Sequence, residues 1–281
     1  MSASETAGSL AERPTGPPKE VTTWKTRIRW IYKLKGLTPF VAALLIWWLT
    51  WEIWQPHERI LVSPAEVWSA LVALVREGIL SAYIEQSLKR LAFGVMVGVG
   101  VGVPLGWLIG LNRSLADASE PVLRFFNSVS GIAWLPLLIL WFGFTERTIT
   151  AIIVYTMLFP VLFNAMIGVR TVPDRLSQAT RTLGAGRLRV VRDVYMPGSF
   201  PSVMTGVRLG IGFGWRALIA GEFVVGGGGL GFLIFNARTQ GLISEIIGGM
   251  LVLGLLWLAL DRLILQPIEQ YTTVRWGLVR L

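Results

Sequence analysis

Apolar residues in this chain fall into long unbroken runs rather than into alternating patterns. Residues 91–111 and 149–169 each contain no charged side chain. As a helix, each run reaches roughly 30 Å, enough to cross the hydrocarbon core of a bilayer. The pattern predicts six helices, at about 38–54, 84–111, 120–143, 148–169, 203–225 and 243–264. An all-helical fold is expected because hydrocarbon offers no partner to exposed backbone N–H and C=O groups. The short apolar alternations of a membrane barrel are absent. Residues 63–83 form a weaker, amphipathic stretch. Ser63, Pro64 and Glu66 read as a helix start, Arg76 and Glu77 as its end, and an outer-surface position is expected.

Composition agrees with a membrane solvent. The 281 residues are 53% hydrophobic and only 15% charged, too little charge to cover a soluble domain of this size. The net charge of +9 is read as the cytoplasmic excess of Lys and Arg in membrane proteins, and no nucleic-acid partner is expected. There is no cysteine, so neither disulfides nor thiolate metal sites arise. The one histidine, His57, follows Pro56 just after the first span and reads as a loop residue, so no metal site is expected. Residues 1–24 are polar and read as a disordered cytoplasmic tail, residues 25–265 as the transmembrane domain, and 266–281 as a C-terminal cytoplasmic tail. No secretory signal peptide is expected.

Charge also orients the spans. Lys25, Arg27, Arg29, Lys33 and Lys35 precede the first span, and Arg170, Arg175, Arg181, Arg187, Arg189 and Arg192 lie between the fourth and fifth. With six spans these segments share a side with Arg275 and Arg280, while the opposite loops offer mainly Arg59, Arg76, Arg147 and Arg238. The positive-inside bias then places both termini, and the Arg-rich loop, in the cytoplasm.

Helix packing is written in small residues. Gly94, Gly98, Gly102, Gly106 and Gly110 recur at every fourth position, with Pro104 among them, and Gly206, Gly210 and Gly214 repeat the device in the fifth span. Such stripes form grooves that let a second helix approach closely.

The Arg-rich loop reads PDRLSQATRTLGAGRLRVVRDVYMP over 173–197. Pro173 and Asp174 open a helix in which Leu176, Ala179, Thr180 and Leu183 recur at helical intervals. Gly184 and Gly186 interrupt it, a second piece follows, and Pro197 closes the loop. A helix, a glycine turn and a second helix make a compact knob suited to a groove on another protein. The segment resembles the EAA loop of ABC importer permeases, whose pattern is E-A-A, three residues, Gly, nine residues, then I-x-L-P. Gln178, Ala179, Thr180, Gly184, Val194, Met196 and Pro197 stand at those spacings, with Gln178 for the Glu and Thr180 for the second Ala. SLKRLAFG at 87–94, LPLLILWFG at 135–143 and GLGFLIFNAR at 229–238 are similar to the nitrate, sulfonate and taurine branch. In that branch a proline-rich stretch usually precedes the second run, where this chain has SVSGIAW at 128–134.

The resemblance implies a type I ABC importer permease fold with a cytoplasmic coupling helix between spans four and five, in a bacterial inner membrane. It implies coupling to an ABC ATPase dimer through Asp174, Gln178, Ala179, Thr180, Gly184, Ala185 and Pro197, within a loop at 171–200. A second permease copy, a homodimer by expectation, would complete the pathway, and an extracytoplasmic solute-binding protein would deliver the solute. No G-x-x-x-x-G-K-[ST] phosphate loop occurs in this sequence, so no cofactor is expected in the chain; ATP and Mg belong to the partner, and the chain is not itself an enzyme.

Arg216 and Glu222 lie in the fifth span, and ionised groups there normally face a bundle interior or water. Arg216 suits a carboxylate, sulfonate or phosphate; Glu222 reads as structural. Asn127, Trp134, Trp141 and Trp215 are pathway candidates, beside Phe125 and Phe126. An ion-coupled secondary transporter is the alternative, but it calls for a relay of buried carboxylates or two related halves, and neither is seen.

Overall fold

A computed structural model describes residues 24–54 and 61–269. The expected tails at 1–24 and 266–281 lie wholly or largely outside the described residues, as do His57, Arg59, Arg275 and Arg280. The chain divides between Gln55 and Pro56 into two units. The first holds α1 (Trp24–Trp54), one helix that takes in the basic segment ahead of the expected span; its apolar part is Thr38–Ile53.

The second unit begins with α2 (Pro64–Arg76), started as the sequence indicates. The Glu66 N–H donates to Ser63 Oγ at 3.2 Å, while that hydroxyl donates to Glu66 Oε1 at 2.7 Å. The cap satisfies one of the backbone donors that the first turn leaves orphaned, and the Glu66 carboxylate holds the capping hydroxyl in place. Next come α3 (Ile79–Leu111), α4 (Arg113–Ser128), a 3-10 turn at Gly131–Trp134, α5 (Leu135–Phe142) and α6 (Glu146–Arg170). The cytoplasmic-loop candidate contributes α7 (Asp174–Thr182) and α8 (Arg187–Val190). A π turn leads into α9 (Met196–Val225), then α10 (Leu230–Gln240) and α11 (Ile243–Leu260), with a second π turn at Asp261–Leu265.

Among the described residues, three helices are long and apolar enough to cross a membrane: α3, α6 and Ile243–Glu269. The number rises to five if each of two bent pairs is one span. The third expected span is not one helix. Arg113–Ser128 and Gly131–Phe142 meet at 83°, because Val129 and Ser130 take extended backbone and Pro136 restarts the helix within its first turn. The second bent pair, Arg187–Val225 with Leu230–Gln240, turns by 43°. The pattern of apolar residues did not separate α10 as a helix, since it is short and follows four glycines.

The glycine stripes meet from two sides on α6. A Cβ at Gly94 would come within 2.4 Å of Ile153, and one at Gly106 within 2.5 Å of the Leu162 carbonyl oxygen. From α9, a Cβ at Gly206 would lie 2.5 Å from Asn164 Cβ, and one at Gly210 3.0 Å from Val161. Gly98 and Gly102 face Met157 and Val161 in the same register. Ile149, Ile152, Ile153, Met157, Val161 and Ala165 are therefore fully buried between α3 and α9. With no bulk hydrophobic effect between helices in lipid, such close van der Waals contact is what holds them.

Candidate functional site

The break between α4 and α5 opens a cavity of about 310 Å³. Its walls come from the end of α4, the link 129–132, the middle of α6 and one face of α9. Gly131 lets the link press against α6, for a Cβ there would lie 2.2 Å from Thr156 Oγ1. Pro160 lacks the N–H that would serve the Thr156 carbonyl in a helix, so a backbone acceptor on this wall loses its usual donor. Tyr155 fixes the end of α4 by donating its hydroxyl to the Phe126 carbonyl at 2.8 Å. Phe126 stacks on Phe159 at 6.2 Å, and Tyr155 meets Phe159 edge-on at 5.2 Å. The result is an aromatic wall facing a few polar groups: Asn127, Ser130, Thr156 and Arg216.

Arg216 is exposed, with its guanidinium carbon 5.7 Å from the Phe213 ring centroid. It makes no ion pair or hydrogen bond among the described residues, so its donors are open to the cavity. Asn127 and Arg216, far apart in sequence, thus share one wall-lined space. The other pathway candidates fall elsewhere. Trp134 sits behind the aromatic wall, 5.3 Å from Tyr155, with a buried indole N–H aligned to no acceptor. Trp215 is only 5% exposed and packs on Trp257 at 6.0 Å, since the residue next to Arg216 points across the helix. Trp141 lies on the exposed side of α5. Neither Trp141 nor Trp215 lines the cavity.

A second polar cluster lies at the far end of α9. Glu222 is fully buried and Arg90 is 7% exposed. Arg90 Nη1 donates to Glu222 Oε1 and to the Gly228 carbonyl, each at 2.8 Å, and its remaining donors hold Glu146. The Ser87 hydroxyl donates to the Glu222 carboxylate at 2.8 Å and accepts from the Leu230 N–H at 2.9 Å. The Gly231 N–H donates to Glu222 Oε2 at 3.0 Å. Gly229, at a φ of +97°, passes so close that a Cβ would sit 2.3 Å from the Glu222 carboxyl carbon. A glycine run is thus what lets the chain wrap this carboxylate. Glu222 has the structural role that the sequence assigns it. Its partners escaped the sequence reading, for Arg90 is 132 residues away; both Ser87 and Arg90 do stand inside the SLKRLAFG fragment.

The loop folds as a helix, turn and helix. Gly184 takes a φ of +84°, which favours glycine. The N–H groups of Leu183, Gly184 and Ala185 return to the carbonyls of Ala179, Arg181 and Thr180. Asp174 stands in the first turn, and Pro197 in the first turn of α9. Ala179, Gln178 and Gly184 are exposed, and Thr180 is half-buried with its hydroxyl on the Leu176 carbonyl at 2.7 Å. The apolar residues do not pack inward as helical spacing suggests. Ser177 is the buried residue of α7, whereas Leu183 and Leu188 are 88% and 83% exposed on either side of the glycine turn.

Residues 102–264 match the family model described as the binding-protein-dependent transport system inner membrane component. The chain is 30% identical over 272 residues to the nitrate import permease protein NrtB of Synechocystis, covering 93% of this chain and 95% of that protein. It is 27% identical to the taurine transport system permease protein TauC of Escherichia coli, over 84% and 89% of the two chains. The putative aliphatic sulfonates permease SsuC of Bacillus subtilis is 27% identical, over 90% of each. Among solved structures, an inward-facing form of the MetNI methionine ABC transporter aligns with a TM-score of 0.60 at 18% identity. That match covers 70% of this chain and 97% of the other, and carries the fold. These findings do not favour the ion-coupled alternative. The chain belongs to the binding-protein-dependent transport system inner membrane components and is the multi-pass permease component of an ABC importer, of type I fold.

Proposed function

We propose that this permease passes a small inorganic or organic anion by alternating access, and that the open Arg216 guanidinium is the cation the solute meets. The names of its relatives, which specify nitrate, taurine, bicarbonate and aliphatic sulfonates, support an anionic solute. The observation that carries the reading is an unpaired arginine on the wall of a cavity inside a membrane protein. Such a charge is costly in hydrocarbon unless water or an anion meets it. The pathway is completed by a second copy of the chain, and an extracytoplasmic binding protein delivers the solute. In a six-span topology the positive-inside bias favours both termini, and the loop at 171–200, on the cytoplasmic side.

The driving force comes from a partner ATPase dimer docked on α7 and α8. Leu183 and Leu188 support this, since two leucines held out by a tight polar turn are expected to bury themselves in an apolar groove. Gln178 and Thr180 line the approach, and ATP-driven closure of the ATPase draws the docked loops together. The test is ATP-driven uptake in vesicles carrying this chain, its ATPase and its binding protein. Leu183→Asp with Leu188→Asp is expected to abolish uptake and co-purification of the ATPase, while the chain still inserts. Retained coupling in that variant would remove the loop from the mechanism.

A further inference from the structure

A larger space, of about 760 Å³, lies against the loop, whose exposed leucines do not line it. It is bounded by the end of α3, the start of α4, the end of α6 and the inner faces of α7 and α8. Arg113, Arg170, Arg181 and Arg187 line it, against two acids, Asp117 and Asp174. Asp117 already pairs with Arg170 at 3.0 Å. Arg113, Arg181 and Arg187 make no ion pair among the described residues. Four arginines thus face two acids, and with Arg113, Arg181 and Arg187 all outside any ion pair the concavity holds an excess of positive charge that an anion relieves. The guanidinium fork suits the paired oxygens of a phosphate group better than a point cation would. Leu111 and Arg170 end the two best-defined spans, so the concavity lies where a leaflet's phosphates begin.

We infer that Arg113, Arg181 and Arg187 form a binding site for a phosphate-class oxyanion, tying the α3–α4 corner to the coupling loop. The level of the site at the cytoplasmic leaflet rests on the orientation proposed above. Anionic lipid headgroups and free phosphate share the chemistry. Leu183 and Leu188 do not line the space, so occupancy is compatible with a docked ATPase. An anion there bridges elements that otherwise meet around an open gap, and it stiffens the loop against the spans.

The experiment uses the full chain purified in a neutral detergent. Thermal midpoints are titrated with inorganic phosphate against chloride at matched ionic strength. In parallel, phosphatidylglycerol and phosphatidylcholine are supplied in equal amounts, and retained lipid is counted by mass spectrometry. A response to phosphatidylglycerol alone assigns the site to lipid, a response to phosphate alone to a soluble anion, and a response to both to the phosphate group itself. Each of Arg113→Gln and Arg187→Gln is expected to weaken the responding ligand about fivefold, the effect of one basic residue near a lipid phosphate. Arg187→Lys should retain most of the binding, and Arg124→Gln, outside the site, should retain all of it. No preference in either arm, or arginine variants equal to the parent, would overturn the proposal. Orientation is read separately by labelling Leu188→Cys with an impermeant maleimide, the chain having no cysteine of its own. Labelling from outside the cell would refute the orientation while leaving the phosphate arm to decide the site.

Discussion

Arg90 and Arg216 each bring a guanidinium into a membrane-spanning helix, but their surroundings are opposite. Arg90 is enclosed by Glu222, Glu146 and a backbone carbonyl, and Glu222 in turn has Ser87 and the Gly231 N–H. Arg216 has an aromatic neighbour and an open space. A buried ion pair whose hydrogen bonds are all made fixes geometry: here it pins α9 and the glycine turn to α3. A charge left open beside a cavity does nothing for the fold, and in the function proposed above it is the group that meets the solute. On that proposal the two arginines separate architecture from transport.

The largest effect is expected from breaking the satisfied cluster. Glu222→Leu removes the fully buried partner of Arg90 and should cost about 3–5 kcal/mol, seen as loss of monodisperse protein in detergent. Combining it with Arg90→Met should recover much of the yield, because no buried charge is then left alone. Recovery of nothing would mean that the bonds of Glu222 to Ser87 and the Gly231 N–H, not the charge left on Arg90, hold the fold here. Next in size is Arg216→Gln, which should reduce uptake roughly tenfold or more, the worth of a charged hydrogen bond. Its thermal midpoint should stay at the parent value, and Arg216→Lys should retain part of the transport. A fall in stability parallel to the fall in uptake would erase the contrast between the two sites. The smallest effect belongs to Arg124, paired with Glu120 one helical turn away at 2.6 Å and largely exposed. Arg124→Gln should change stability by less than about 1 kcal/mol and leave uptake close to the parent. A transport defect equal to that of Arg216 would extend the anion path along α4.

What the sequence made legible follows from the range over which each signal acts. The glycine stripes could be read because five residues at constant spacing define one face whatever lies opposite; that α6 is gripped from both sides required the structure. The loop could be read from Asp174 to Pro197 because its turn chemistry is local. The direction its apolar residues face could not, since Leu176, Ala179 and Leu183 recur at helical intervals whether they face a core or a partner. The break at 128–131 was hidden because nothing in SVSGIAW carries charge and the segment that follows it is strongly apolar, so one run reads on from the end of α4. Arg216 was conspicuous as an isolated charge in an apolar run. Arg90 was not, being followed by a long run that draws attention to its own hydrophobicity.

The double grip on α6 also sets how motion can travel. Side chains of α6 interlock along both neighbours, with Cβ-free approaches that leave no room for one helix to slide past another. The three helices make a plank that resists shear. One edge carries both ends of the loop, through Arg170 and Met196, and the cavity wall along it carries Tyr155, Thr156 and Arg216. A plank driven at one edge tilts as a whole, so if the loop is driven as proposed above, its displacement reaches the cavity as a change of angle, not as a bend absorbed along the way.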